Sequence, residues 1–574
     1  MMLISIDSVF RVSFGLIVAA LCIGKTGVAA QAVAEGEKGE VSAPRWRMPP
    51  NEMSMPMQPG LAGALPSVSP FLPGRGIDPA TLLEAAAPRE RRLADGDTLR
   101  LVAAPLRRTV AGLSVILYGF NGQQPGPRLR VRQGSTVFIE FRNETELTTT
   151  MRWHGVRVDN RFDGVPGLTQ PSVHPGESFV YEVRFDDAGV FWYHPHEHAD
   201  IAQDLGLYGN LVVDSAEPRY YGPANREEFL ILDDLQIDDR GLLPWGFELP
   251  NHALMGRFGN VLLVNGGTGY SLDVRRGEVV RFFLTNASNT RTFNVVIPGA
   301  DMKLVAGDLS RFEREVRVDN VPIAPGERYV VDVRFAQTGG TAVLNRIQAL
   351  DHFRAVFVPR TDTLGVITVA ADWAEPDHAA GFDTLRENAE VGAEIDRFRP
   401  SFEAPVDHEL VLSSKIQGLP TPVVVTMAMD TLYYRPVEWN DAMPMMNWLS
   451  TGNEVLWILH EPLSEGAEIR PAVGWRFRQG DIVKLRFSNT SRSLHPMHHP
   501  MHLHGQRFLV VERDGVRATN LAWKDTVLLP VGSTVDVLVD MANPGRWLLN
   551  CQIPEHLGTG MSIAFTVTPR ARTR

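Results

Sequence analysis

The chain is nearly without cysteine: Cys22 and Cys551 are the two it has in 574 residues. Cys22 lies in an apolar N-terminal segment of the kind removed on export, so the mature chain is expected to keep one thiol and no disulfide framework. A membrane-length apolar run is also missing. The run 12–23 is too short to cross a bilayer comfortably, so the mature chain is expected to have no membrane span. Nor is there an excess of basic charge. The formal net charge is −11 with both signs mixed along the chain, which excludes the footprint of a nucleic-acid binder. What is present is an ordinary globular composition, 44% hydrophobic and 21% charged. The length suits roughly three to four domains.

Residues 1–32 read as an export signal, with Arg11 ahead of the apolar run and small residues at Ala29, Ala30 and Ala32. No twin-arginine pair precedes the run, so export through the general route, to the periplasm or the medium, is expected. Leu21 stands before Cys22 where a lipoprotein would carry a small residue. Residues 33–96 are rich in Pro, Gly and Ala and read as a mostly irregular arm. Met48, Met53, Met55 and Met57 in that arm suit Cu(I) by their softness, or fill gaps as an apolar strap.

From about residue 97 the chain repeats itself. The stretches 131–143, 274–286 and 477–489 each run from a turn glycine (Gly134, Gly277, Gly480) through an alternating apolar strand to Asn143, Asn286 and Asn489. A second unit follows each, between Gly176 and Gly189, Gly326 and Gly339, and Gly532 and Gly545. Three copies of one β unit mean three homologous β-sandwich domains, at 97–216, 217–375 and 376–574. The three Asn also match a glycosylation pattern, but their fixed register argues for a structural role.

The repeats align the chain with itself. Five residues past the last glycine of the second unit stand His194 in domain 1, Leu344 in domain 2 and Asn550 in domain 3. Domain 2 therefore reads as a spacer. Domain 3 carries CQIPEHLGTGM (551–561) after HPMHLHG (499–505). A thiolate, two imidazoles and a thioether, at Cys551, His499, His556 and Met561, form the donor set of a blue-copper electron-transfer site. Alternate side chains on a strand face opposite ways, so Cys551 faces its own domain while residues 550 and 552 face outward. His194 and His196 share one face, as do His502 and His504; two such H-x-H pairs could meet between domains 1 and 3 as metal ligands.

These residues resemble the multicopper oxidases, three-domain laccase-like enzymes exported by bacteria. The resemblance spans about 97–570 and rests on RWHG (152–155), WYHPH (192–196), HPMHLHG and CQIPEHLGTGM. It implies an all-β chain of three cupredoxin-like Greek-key sandwiches. It also implies copper: a type 1 ion on His499, Cys551, His556 and Met561, which takes electrons from a reductant. A trinuclear cluster then reduces oxygen to water. For that cluster the type 2 ligand His502 is kept, and so are the type 3 ligands His154, His194, His196 and His504. Where the family has three further histidines, this chain has Arg152, Asn550 and Gln552. Arg cannot bind a cation, and the amides are expected to hydrogen-bond the neighbouring imidazoles but are poor copper ligands.

The resemblance likens Asp163, in FDGVPG (162–167), to the family's catalytic proton-relaying acid; read locally it is a turn Asp before Gly. His198 reads as a solvated loop residue or, less simply, as an opportunistic ligand beside the H-P-H pair. Met427, Met429, Met443, Met445 and Met446 read as core filling or as a Cu(I)- or substrate-facing patch. The expected function is exported copper-dependent oxidoreduction, with a small molecule or metal ion as reductant and oxygen as an uncertain acceptor. A copper-binding or electron-transfer protein without oxidase turnover is the alternative, and a bare binding scaffold a third.

Overall fold

Each first repeat becomes the central strand of a sheet, with the same neighbours in all three copies. Thr136–Asn143 alternates half-buried and buried residues, runs parallel to Thr98–Val110 and antiparallel to Ser178–Arg184. Val279–Asn286 lies parallel to Arg226–Leu235 and antiparallel to Arg328–Arg334. Ile482–Asn489 lies parallel to His408–Ile416 and antiparallel to Thr534–Asp540. In this computed structural model, residues 71–246, 249–351, 356–417, 437–438, 454–463, 469–490 and 497–570 are described. The expected signal at 1–32, the arm methionines Met48 to Met57, and Met427, Met429, Met443, Met445 and Met446 lie outside the described residues.

The strands that start at the closing glycine of each second repeat belong to the facing sheets, again alike. Gly189–Pro195 pairs antiparallel with Met151–His154, Gly339–Asp351 with Phe293–Val296, and Gly545–Cys551 with His499–Leu503. Each pair of sheets closes on its own apolar core: Leu101, Phe141 and Tyr193 in the first, Leu284, Phe293 and Val343 in the second, Leu485, Trp547 and Phe565 in the third. Full burial of one such side chain is worth about 1.5–3 kcal/mol. The chain is thus all-β, three cupredoxin-like sandwiches in series.

The repeated asparagines explain themselves. Asn143 Nδ2 donates to the carbonyls of Leu147 and Val173, Asn286 Nδ2 to those of Arg291 and Ile323, and Asn489 Nδ2 to those of Met497 and Leu529. Each is buried and ties the end of one strand to two neighbouring segments, so the position tolerates no exposed modification.

Two strands fall outside the expected divisions. Glu90–Arg92, inside the stretch read as an irregular arm, adds parallel to Arg128–Arg132 and starts the first domain's sheet before residue 97. Val437–Glu438 pairs with Gln348 and Ala349, so a piece of the third segment joins the second domain's sheet. Neither strand is long enough to show a two-residue alternation in the sequence.

Candidate metal centres

One sheet face carries sulfur and the other carries imidazole. The strands His499–Leu503 and Gly545–Cys551 set Met501 opposite Cys551 and His502 opposite Asn550. Residues 499, 501 and 551 therefore face the third core, while 502, 504 and 550 face the first domain. The short helix Pro554–Gly558 brings His556 back over Cys551. His499 Nδ1 lies 3.7 Å from Cys551 Sγ and His556 Nδ1 lies 3.6 Å from it. Met561 is held against both: its N–H donates to the His556 carbonyl at 2.9 Å, and its carbonyl accepts from Cys551 N–H at 3.0 Å. All four side chains are buried to 0% exposure.

Burial pushes the Cys551 thiol up, because a thiolate there has no solvent. A cation beside the sulfur reverses that penalty. Two Nδ1 atoms and one Sγ within 4.8 Å of one another suit a copper ion of the blue type. Trp457 roofs the group, with ring centroids 4.8 Å from His499 and 4.6 Å from His556. Its indole N–H donates to Ala253 O in the middle domain's helix Leu249–Met255. No repeat register pointed to Trp457.

The opposite face gathers the other expected ligands, with Arg152 among them. The Arg152 side chain is buried, and its Nη2 donates to His502 Nε2 at 2.9 Å. His502 Nδ1 in turn donates to the Asp525 carbonyl at 2.9 Å, so Nε2 is the lone-pair nitrogen and the guanidinium holds it. Arg152 Nη1 makes a close ion pair with Asp163 Oδ1, and His504 Nδ1 donates to Asp163 Oδ2 at 2.8 Å. Asp163 also follows the 3-10 turn Asn160–Phe162, in the turn position read from FDG.

The remaining imidazoles converge in pairs. His154 Nδ1 and His194 Nε2 are 3.3 Å apart, and the rings of His196 and His504 meet edge to face at 5.1 Å. His154 stacks on His502 at 3.9 Å. Burial depresses the pKa of all of them, His196 to about 3, and the Arg152 charge adds to this at His194, His196, His502 and His504. The rings are therefore neutral, as ligation requires. Asn550 differs from expectation. Its amide Nδ2 donates to the Cys551 carbonyl at 2.7 Å instead of to an imidazole. A cleft of about 480 Å³, lined by His196, Glu197, His198, Leu548, Leu557 and Ser562, opens beside this group, with His198 exposed in it.

The middle domain is not a mere spacer, as its lack of ligands suggested. Arg328, fully buried, pairs with Asp525 through both carboxylate oxygens (2.8 and 2.5 Å) and donates to Val190 O at 2.9 Å. Asp525 Oδ1 then accepts from His154 Nε2 at 3.0 Å. Burial opposes ionisation of Asp525, but Arg328 and His154 outweigh it and hold its carboxyl well below the usual range. His154, His502 and Asp525 bring donor atoms within 4.8 Å, but hydrogen bonds already account for those contacts, so the carboxylate orients the rings. Gly155 makes the room: at φ +85° it has no Cβ, and one there would lie 2.6 Å from both Arg328 Nη2 and Asp525 Oδ2. The sequence held a signal for Arg328. The second repeats place Ser178 and Thr534 at its position, so a charge there is out of pattern.

Arg328→Met should therefore cost about 3–5 kcal/mol, because it leaves Asp525 buried without its guanidinium. Urea unfolding of the copper-free protein measures this. A loss below about 1 kcal/mol would mean the pair is idle.

Comparison with known proteins gives the family. Multicopper oxidase family models match residues 107–218, 241–349 and 443–571. The multicopper oxidase MmcO of Mycobacterium tuberculosis is 25% identical over 508 residues, across 83% of this chain and 88% of that protein. The crystal structure of a multicopper oxidase from Pseudomonas thermotolerans superposes with a TM-score of 0.60 at 25% identity, covering 83% of this chain and 100% of that one. A Campylobacter jejuni multicopper oxidase, described as a metallo-oxidase, shares the fold with a TM-score of 0.65 at 20% identity, covering 88% and 99%. The chain belongs to the multicopper oxidase family, as a three-domain, laccase-like, copper-dependent oxidoreductase.

Proposed function

We propose that this protein takes electrons from a small reductant or a metal ion at a type 1 copper, and that four-electron reduction of oxygen is impaired or absent. His499, Cys551, His556 and Met561 would hold the copper. A copper so held cycles between two oxidation states and accepts one electron at a time. The chain's own part is to keep the four donors dry and fixed: strand pairing sets His499 against Cys551, the helix turn sets His556, and Trp457 covers both rings.

The observation that carries the second half is the 2.9 Å bond from Arg152 Nη2 into His502 Nε2. A permanent cation occupies the lone pair that a type 2 copper would need, and Asp163 neutralises it. The donor set around it does not fit three coppers. Asn550 and Gln552 also remove the imidazoles that would flank Cys551. The same two residues favour the second reading, a copper-binding or electron-transfer protein without oxidase turnover. Asp163 then serves as the counter-ion of Arg152, with both its oxygens engaged.

Segment 1–32 supports export, to the periplasm or the medium, with copper acquired there. The metallo-oxidase description of the Campylobacter jejuni relative supports a metal ion as one class of reductant. An oxygen electrode tests the reading. With excess phenol or diamine, copper-loaded protein should show no sustained uptake. Uptake that stops when Cys551 is replaced by Ser would contradict it.

A further inference from the structure

The middle domain also reaches the sulfur site, and does so at three places. The first is the cover. Trp457 stands on the strand Val455–His460, and its backbone N–H donates to Thr559 O at 3.0 Å, between His556 and Met561. Gly560 permits that approach: at φ +106° it has no Cβ, and one there would lie 3.1 Å from Trp457 O. The indole lies against both imidazoles, and its N–H donates to Ala253 O of the middle domain at 2.8 Å. Ala253, Leu254, Met255 and Phe258 belong to the same apolar cluster as Cys551 and Met561. Residues of another domain therefore complete the core around the sulfur.

The other two places lie next to the ligands in sequence. His498 precedes His499, and its Nε2 donates to Thr290 O at 3.0 Å. Glu555 precedes His556, and its Oε1 accepts from Asn289 Nδ2 at 3.0 Å. The same Nδ2 donates to Asp200 O of the first domain at 2.9 Å, so Asn289 is fixed from both sides. Gly256 brings these pieces of the middle domain together: at φ +76°, a Cβ there would run into the Thr290 hydroxyl. Trp457, His498 and Asn289 are all buried. A buried donor or acceptor left unpaired costs more than its bond returns, so these contacts resist slippage.

We propose that the middle domain clamps the type 1 site, with Trp457, His498 and Asn289 as positioning residues that set the copper's reduction potential. The clamp holds the backbone beside both imidazole ligands, so their geometry changes little when the charge on the metal changes. It also keeps water off the rings. The oxidised site carries one more positive charge than the reduced one, and water favours the more charged form. A dry cover favours the reduced form and raises the potential. The proposal rests on the reading of His499, Cys551, His556 and Met561 as the copper ligands, and is independent of what happens to oxygen.

The test is an anaerobic redox titration of the blue band in copper-loaded protein, with a paramagnetic resonance spectrum of each oxidised sample. Trp457→Leu should shift the balance toward oxidised copper about tenfold, which for one electron is a potential lower by about 59 mV. Trp457→Phe keeps an apolar ring over the imidazoles but loses the tether to Ala253, and should shift less, in the same direction. His498→Leu and Asn289→Leu should each lower the potential and alter the copper hyperfine splitting. His498→Gln, whose amide can still donate to Thr290 O, should restore both. A merely structural role would lower the melting temperature and leave the potential where it is. Wild-type potentials and spectra in the folded leucine variants, with wild type itself blue, would overturn the clamp. If those variants do not fold, Trp457→Phe decides, and a wild-type potential there overturns it too. A colourless copper-loaded wild type would instead remove the type 1 reading, and the clamp with it.

Discussion

The variant carrying Arg152→His, Asn550→His and Gln552→His together should bind more copper than the parent and consume oxygen, with a gain in uptake of about 100-fold or more. Each change has a structural reason. Arg152→His withdraws the guanidinium from His502 Nε2 and returns that lone pair to a metal. Asn550→His can keep the present hydrogen bond, because an imidazole Nδ1–H can donate to the Cys551 carbonyl as the amide does now. Gln552→His puts a nitrogen next to His154 over Gly326.

Singly, the changes should do little for activity. Ligands of one cluster act as a unit, so their effects are far from additive. Arg152→His alone also leaves Asp163 buried with a weaker partner, a loss of up to about 3–5 kcal/mol that bound copper would offset in the triple variant. Metal analysis and an oxygen electrode on the four proteins measure all of this. A folded triple variant that gains no copper would show that the cavity around the ligands has been rebuilt as well.

Cys551→Ser is the second large effect. Copper-loaded wild type should be blue, from the charge-transfer band of a short copper–thiolate bond, and the variant colourless. Removing the sulfur should also remove most of the thermal stabilisation by copper. For a ligand at 1,000 times its dissociation constant that amounts to about 4 kcal/mol. Visible absorption and melting temperatures with and without copper check both. A blue Cys551→Ser protein, or a colourless wild type after copper loading and oxidation, would end the type 1 assignment.

The fold was legible because its signals are local. Gly134 and Asn143, Gly277 and Asn286, and Gly480 and Asn489 punctuate equivalent strands at one spacing, and buried Asn amides explain why the spacing holds. Two-residue alternation also separated the face of Cys551 from that of His502 and His504. The supports of the site were not legible, because they arrive from far along the chain. Arg328 reaches Asp525 across 197 residues, and Arg152 reaches His502 across 350. No pattern within one strand predicts such meetings. The Asn550 amide was misjudged for a different reason. It turns to its neighbour's carbonyl, a short-range bond that competes with any imidazole.

The central claim is that electrons enter at Cys551 and have no four-electron outlet to oxygen. It is tested most directly by bleaching the blue band with a reductant in the absence of air, then mixing with air-saturated buffer and following the colour. The account predicts bleaching that needs one electron per type 1 copper and a colour that does not return on the seconds timescale of enzyme turnover. Prompt return of the blue band, with one oxygen consumed for every four electrons, would contradict it.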